Sequence, residues 1–224
     1  MTFSLVGRCA RTRQLGVVIA SSSPAVAARC AYTRAGVGAV ASQNVTDPRL
    51  GPRALRLMEA GMGAAPAVAA VRDGTPHAAY RQILAVDASG GTATHSGAEA
   101  LGIWAEARGT DCTAGGNLLA DEGVPRAMVA AFEAAQGPLG ERLLAALRAG
   151  RDAGGEAGPI HSAGLQVADA VPWPVADLRC DWTDACPIDA VAEAWAVYAP
   201  QMDAYVTRAL DPREAPSYGV PGDE

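Results

Sequence analysis

The sequence contains no lysine, although it has 224 residues. All 18 basic residues are arginines, and the formal net charge is -6. Without lysine, Schiff-base and lysine-base chemistry are excluded, and the acidic balance argues against a surface that binds a polyanion. We therefore expect no nucleic-acid partner.

Long hydrophobic runs are also missing. No uninterrupted apolar stretch approaches the roughly 18 residues that a membrane span needs, and the first residues carry neither the basic nor the apolar region of a signal peptide. These absences predict a cytoplasmic protein without a membrane partner.

Cysteine and histidine are scarce. The five cysteines show no C-x-x-C spacing, which disfavours a disulfide scaffold or a zinc site. His77, His95 and His161 are scattered without metal-ligand spacing. A Ser/His/Asp set of Ser96, His161 and Asp87 would need long-range geometry, and no G-x-S-x-G elbow is present. We expect no metal and no cofactor.

Aromatic residues make up only 5% of the chain, whereas hydrophobic residues make up 50%. The core must therefore consist mainly of small and branched aliphatic side chains, which allow layers to pack closely. The length fits one large domain. We predict that domain over residues 1–212 and a poorly ordered tail over residues 213–224.

Hydrophobic periodicity predicts alternating groups of strands and helices. Period-two or apolar runs predict strands at residues 1–9, 15–20, 36–43, 81–87, 92–96, 101–105, 111–114, 162–167 and 175–180. Helical spacing predicts helices at residues 50–62, 67–71, 124–135, 139–149 and 188–210, and the glycines at 115 and 116 predict a turn. Hairpin-linked strands with grouped helices indicate an α+β fold with mainly antiparallel sheets. Helices covering one face of each sheet would give α, β, β, α layers.

Thr2 follows Met1 at the start of the first predicted strand. A small residue at position 2 is typical of chains from which the initiator methionine is removed. A threonine at a free N-terminus carries a hydroxyl nucleophile and an α-amine, of pKa about 7.7 to 8.0, that acts as its general base. Thr2 is therefore a candidate nucleophile, and the alternative is an ordinary strand threonine.

Seven segments carry a resemblance that extends over most of the chain: residues 2–6, 15–17, 20–23, 34–43, 51–53, 80–82 and 116–119. In this order they resemble the bacterial family known as domain of unknown function ten twenty-eight. That family looks like a branch of the N-terminal nucleophile (Ntn) hydrolases, whose fold is an αββα sandwich. The resemblance implies this four-layer fold, with two mainly antiparallel sheets, and amide hydrolysis by a first-residue nucleophile.

The resemblance also implies roles for particular residues. Thr2 would be the nucleophile, and Gly116 and Asn117 would donate hydrogen bonds to the oxyanion. The amine or the substrate would be held by polar residues at strand ends, namely Ser21, Ser23, Gln43 and Asn44. Arg34 or Arg29 would supply the positive charge that a lysine provides in proteasome-like relatives.

The leading hypothesis is thus an N-terminal-threonine amidohydrolase that acts on a small amide, N-acyl or γ-glutamyl-like molecule. The competing hypothesis is a non-catalytic ligand-binding or interaction protein that keeps Met1, and a weaker one is a pilus-related structural component. A homodimer is also expected, because a sandwich rich in small residues leaves apolar helix faces to cover.

Overall fold

The computed structural model describes residues 1–223 and contains two antiparallel sheets with helices on both outer faces. The strands are β1 (Thr2–Arg8), β2 (Leu15–Ser21), β3 (Ala31–Arg34), β4 (Gly38–Asn44), β5 (Arg81–Asp87), β6 (Thr92–Ser96), β7 (Ala105–Gly109), β8 (Cys112–Asn117), β9 (Ser162–Ala168) and β10 (Pro174–Cys180). The helices are α1 (Val26–Cys30), α2 (Leu50–Glu59), α3 (Ala64–Asp73), α4 (Val124–Ala134), α5 (Leu139–Asp152), α6 (Pro187–Tyr198) and α7 (Met202–Leu210).

The larger sheet has six strands in the order β10-β9-β2-β1-β8-β7, and the smaller has four in the order β3-β4-β5-β6. Helices α4, α5 and α6 pack on the larger sheet, whereas α2 and α3 pack on the smaller one. Apolar side chains fill the space between each pair of neighbouring layers. The predicted four-layer αββα sandwich is confirmed.

Strand β1 lies near the centre of the larger sheet and is covered on both faces. Because side chains alternate along a strand, Phe3 and Leu5 point towards the helices. Val6 joins the apolar layer between the sheets, and Ser4 reaches Gln43 in the other sheet. Alternate side chains at the start of β1 therefore lie between the two sheets.

The segment before β4 differs from the prediction, because a short helix and an edge strand precede that strand. Helix α1 has only five residues, too few for a helical period to be recognised in the sequence. Strand β3 runs antiparallel to β4, and its Tyr32 ring packs against Gly51. A Cβ atom at Gly51 would lie 2.1 Å from Tyr32 Cδ2.

The predicted turn at residues 115–117 is wrong, because these residues lie inside β8. Glycine is required there by close packing: a Cβ atom would lie 3.0 Å from Leu84 Cδ2 at Gly115 and 2.5 Å from Leu119 Cδ2 at Gly116. The strand predicted at residues 101–105 is also wrong. That segment is a loop, and β7 begins at Ala105.

The single helix predicted over residues 188–210 is interrupted by a 3-10 turn at Ala199–Gln201. Pro200 lies in this turn and lacks the backbone N–H that would continue the α-helix. In α7, the Arg208 guanidinium lies 3.8 Å from the centre of the ring of Tyr218, which follows the helix. The division at residue 212 stays a prediction, and Glu224 lies outside the described residues.

No helix within residues 1–223 combines the length and the apolar character needed to cross a bilayer.

Candidate active site

A row of four buried polar residues crosses the larger sheet at the end where β1 begins. Thr2 is paired with Asn117 in β8, and Ser21 in β2 is paired with Ser162 in β9. The hydroxyl oxygens of Thr2 and Ser21 lie 3.2 Å apart and join the two pairs. Neighbouring strands of an antiparallel sheet therefore bring residues from distant parts of the chain next to Thr2.

A buried hydrogen-bond network connects this row to the smaller sheet. Ser4 Oγ donates to Gln43 Oε1 at 2.7 Å, and Gln43 Nε2 donates to Gln82 Oε1 at 2.8 Å. Asn117 Nδ2 also donates to Gln82 Oε1, at 3.1 Å. Gln82 Nε2 donates to Ser96 Oγ at 2.9 Å and to the Gly116 carbonyl at 3.1 Å. Gln82 thus holds the Asn117 side chain in one orientation.

The polar network occupies only one end of the space between the sheets. The rest of that space is filled by aliphatic side chains such as Val17, Ile19 and Val86. A buried polar group costs free energy unless it is fully hydrogen-bonded. Apolar residues at the Thr2 end would therefore fill the interior just as well without that cost. A polar end of an otherwise apolar interior is typical of a functional site.

Met1 lies directly against the hydroxyl groups. Its carbonyl oxygen accepts hydrogen bonds from Thr2 Oγ1 and Ser21 Oγ. Ser21 Oγ is also 2.8 Å from Ser23 Oγ, and Thr2 is only 5% exposed. While Met1 is present, its peptide group therefore caps the candidate nucleophile, and removal of Met1 would uncover it.

Glu156 is a buried carboxylate that sequence analysis missed. It is 5% exposed, and neither carboxylate oxygen has a hydrogen-bond partner among residues 1–223. Burial raises the pKa of Glu156 to about 7, against the opposing effects of the N-terminal amine and Ser22. Ser22 lies near enough to act on the carboxylate without reaching hydrogen-bond geometry. A glutamate in a glycine-rich segment gives no sequence signal of burial.

The loop that carries Glu156 lies alongside the first residues of β1. Its backbone forms a β-bridge from Glu156 to Leu119. A Cβ atom at Gly155 would lie 3.4 Å from Phe3 Cε1, and one at Gly158 would lie 3.3 Å from Met1 Cε. Glu156 lies between these two glycines in the chain, and Thr2 lies between Met1 and Phe3.

Five of the predicted site residues come together: Thr2, Ser21, Ser23, Gln43 and Asn117 belong to the network described above. Gly116 is the penultimate residue of β8 and is paired on both sides, with Phe3 in β1 and Ala105 in β7, and its Cα faces Leu119. Its backbone is thus enclosed by the sheet and is a poorer oxyanion donor than the Asn117 side chain.

Asn44 and Arg34 have other partners. Asn44 Nδ2 donates to the Tyr80 carbonyl at 2.7 Å, and its Oδ1 accepts from Leu101 N at 3.2 Å. Asn44 thus fixes the loop of residues 97–104 beside the site. Arg34 pairs with Gly38 at the opposite end of β4 from Gln43 and forms an ion pair with Glu59. The structure therefore does not bring Arg34 to Thr2.

The serine–histidine–aspartate alternative is not assembled. His161 Nδ1 lies 2.8 Å from the Thr183 carbonyl, Ser96 Oγ donates to Glu106 Oε1 at 2.5 Å, and Asp87 Oδ2 accepts from Ala64 N at 2.8 Å. Within residues 1–223, no three His, Cys, Asp or Glu side chains form a group that could hold a metal ion.

An exposed apolar rim adjoins the polar end. It consists of Val45, Tyr80, Leu101, Ile103 and Trp104, each between 42% and 44% exposed. The backbone N–H groups of Leu118 and Leu119, just after Asn117, donate to the carbonyls of Leu101 and Ile103 at 2.8 and 2.9 Å. The loop with three of these side chains is therefore anchored next to the site.

Comparison with known proteins identifies a family that matches most of the chain. The model of the family of unknown function DUF1028 matches residues 2–191. The crystal structure of protein SPO2555 from Silicibacter pomeroyi, assigned to the same family model, superposes with a TM-score of 0.83 at 30% identity, covering 88% of this chain and 86% of that one. Anbu (ancestral beta-subunit) from Yersinia bercovieri gives a TM-score of 0.40 at 8% identity, covering 91% and 97%. No curated protein matches.

Proposed function

The chain belongs to the family of unknown function DUF1028, and we propose from the geometry of its site that it is an N-terminal-threonine amidohydrolase. The observation that carries the proposal is the buried polar row, in which the Thr2 hydroxyl lies 3.2 Å from Ser21 Oγ and Thr2 is paired with Asn117. Removal of Met1 is part of the proposal, because it creates the amine that acts as general base.

In the proposed reaction, the α-amine takes the proton from Thr2 Oγ1, and the oxygen attacks the substrate carbonyl carbon. The C–N bond then breaks, the proton passes from the ammonium to the leaving nitrogen, and an ester on Thr2 remains. Water attacks this ester with the amine again as base, which releases the acid and restores the hydroxyl. Every proton is thus carried by the α-amine of Thr2.

The oxyanion of the tetrahedral intermediate is assigned to the Asn117 side chain. A side-chain amide has two N–H donors, and Asn117 Nδ2 donates one hydrogen bond, to Gln82 Oε1. The second N–H is available for the substrate oxygen. Gln82 fixes the amide orientation before the substrate binds, and one preoriented donor typically contributes about 3 to 4 kcal/mol to transition-state stabilisation.

Among the substrates expected from the sequence, the apolar rim favours small N-acyl compounds. Five exposed apolar side chains next to a polar site would bind an aliphatic or aromatic acyl group. A γ-glutamyl group would instead call for a cation, and the candidate Arg34 lies in β3, opposite the end of β4 that is far from Gln43.

The proposal is tested with protein whose N-terminus is Thr2, prepared by cleaving an N-terminal fusion directly before that residue. A panel of N-acyl amides is assayed with the wild type, Thr2→Ala, Thr2→Ser and the exposed control Thr12→Ala. We expect turnover by the wild type, Thr2→Ser and Thr12→Ala, and none by Thr2→Ala. Turnover by Thr2→Ala, or by protein that retains Met1, would remove the mechanism.

One observation favours a second function, a non-catalytic ligand-binding protein. The Met1 carbonyl satisfies the hydroxyls of Thr2 and Ser21, so the form with Met1 is itself well hydrogen-bonded. This function predicts that Met1 is retained in the native host and that ligands bind at the apolar rim without turnover. No structural feature of residues 1–223 favours a pilus-related role.

A further inference from the structure

We propose that Glu156 is the positioning residue for the α-amine of Thr2. After removal of Met1, its carboxylate accepts a hydrogen bond from that amine and holds it beside the Thr2 hydroxyl. The inference rests on the proposed function in one respect, namely that the free amine exists. It deepens that function by naming the group that holds the α-amine in place beside the hydroxyl.

Several contacts place the loop that carries Glu156 beside the first residues of β1. Its loop touches Phe3 on one side of residue 156 and Met1 on the other, as the contacts of Gly155 and Gly158 show. The bridge from Glu156 to Leu119 lies two residues beyond Asn117, the strand partner of Thr2. The α-nitrogen of Thr2 lies only one residue from that of Met1, whose charge already acts on Glu156.

The charged and titratable groups that act on Glu156 include the N-terminal amine at the start of β1 and His161 just before β9. His161 is itself 3.6 Å from the exposed Asp184. Cys30 of α1 also senses the N-terminal amine, although burial raises its pKa. None of these groups forms an ion pair with Glu156 among the described residues.

A carboxylate that is 95% buried and unpartnered is costly unless a cation or donors meet it. The ammonium of Thr2 supplies both a charge and N–H donors. During the proposed reaction, the amine becomes an ammonium when it takes the hydroxyl proton, and Glu156 stabilises that positive charge. Glu156 gains no proton in the step, because the N–H that faces it stays on nitrogen.

The absence of lysine makes a direct test practical, because the N-terminal amine is the only primary amine of the chain. Protein beginning at Thr2, with a lysine-free C-terminal tag, is acetylated with sulfosuccinimidyl acetate between pH 5 and 10. Intact mass gives the acetylation rate at each pH and hence the amine pKa. The wild type is compared with Glu156→Gln, Glu156→Asp and the exposed control Glu122→Gln.

A nearby carboxylate favours the ammonium, so it raises the amine pKa, and each pKa unit changes the neutral fraction about tenfold. We expect Glu156→Gln to be acetylated at least about tenfold faster than the wild type at pH 6. Rates at pH 10 should be equal, Glu156→Asp should fall in between, and Glu122→Gln should match the wild type. Matching profiles for Glu156→Gln and the wild type would overturn the inference.

Activity measurements separate this inference from the proposed function. If no amide is hydrolysed but Glu156→Gln shifts the acetylation profile, the function is wrong and the inference stands. If Thr2 is required for turnover but the profile does not shift, the inference is wrong and the function stands. With both correct, Glu156→Gln lowers kcat, leaves KM unchanged and moves the acid limb of the pH profile to lower pH.

A comparison of the two wild-type forms needs no substitution and covers the case in which Glu156→Gln does not fold. Between pH 5 and pH 8, the form with Met1 should lose stability, since its buried carboxylate ionises without a partner. The form that begins at Thr2 should not. Equal losses in the two forms would contradict the inference.

Discussion

Replacement of Glu156 by glutamine in protein that retains Met1 should change how stability depends on pH. Burial raises the pKa of Glu156 from 4.5 to about 7, so the folded protein holds this proton more tightly than the unfolded chain does. The stabilisation is complete below pH 4.5 and is lost as the pH rises to about 7. Since a pKa difference of one corresponds to 1.36 kcal/mol, the rise from 4.5 to about 7 corresponds to about 3 kcal/mol of stability.

The free energy of unfolding is measured by urea denaturation at constant ionic strength, from pH 4.5 to 8.5. Met1 is retained by expressing the protein with an inhibitor of methionine aminopeptidase, and intact mass verifies it. Relative to Glu156→Gln, the wild type should lose about 3 kcal/mol between the two ends of this range. Glutamine is neutral throughout, so shared effects of other groups cancel in the difference.

Glu122→Gln removes the same formal charge from an exposed position and should show no such difference. The reasoning is refuted if the difference between the wild type and Glu156→Gln stays constant, within about 0.5 kcal/mol, over the whole range. A difference of the opposite sign would mean that the carboxylate already has a cationic partner while Met1 is present.

Three further predictions follow from the site and its loop. Gln82→Met should lower the free energy of unfolding by about 3 kcal/mol, because several buried partners lose their hydrogen bonds, and should lower kcat; the exposed Gln136→Met is the control in urea denaturation. Gly97→Ala should cost about 2 to 3 kcal/mol in the same assay, because its Cβ would lie 2.1 Å from the Ala79 carbonyl oxygen; Gly63→Ala, whose nearest contact is 3.4 Å, should be close to neutral. Trp104→Ala should raise KM about tenfold for N-acyl substrates with long apolar chains, at roughly 0.8 kcal/mol per buried CH₂, and leave kcat unchanged; equal effects on acetyl and long-chain substrates would contradict this.

The sequence predicted the strands whose apolar residues alternate and whose ends carry turn residues. Phe3 and Leu5 mark the helix-facing side of β1, and Gly90 and Gly91 mark the turn from β5 to β6. Local pattern suffices for these elements, because both the alternation and the turn involve neighbours in the sequence. The α+β class followed from their order.

The glycines of β8 have the composition of a turn, but close packing accounts for them. Leu84 of the smaller sheet packs against Gly115, and Leu119, just after the strand, packs against Gly116. The contact of Gly115 with Leu84 joins distant segments of the chain, which local composition does not report.

The candidate site was predicted only in part. The resemblance to the family grouped Thr2, Ser21 and Asn117, and antiparallel pairing of β1 with its neighbours brings them together. Glu156 could not be found, because its burial results from pairing with Leu119, 37 residues earlier in the chain. Arg34 was misplaced because it lies at the wrong end of β3, and only the sheet register reveals which end faces Thr2.

The small-molecule substrate and the homodimer stay predictions. The outer helices offer one place for a second copy, since Val197 is 69% exposed and Leu210 is 65% exposed. Sedimentation analysis would give the oligomeric state directly.

The central claim is that Thr2, with a free α-amine, is the nucleophile. Its most direct test is the intact mass and N-terminal analysis of the protein isolated from its native host. The account predicts a chain that begins at Thr2, with the amine unmodified. A chain that still carries Met1 would contradict the claim and would favour the ligand-binding alternative on the same fold.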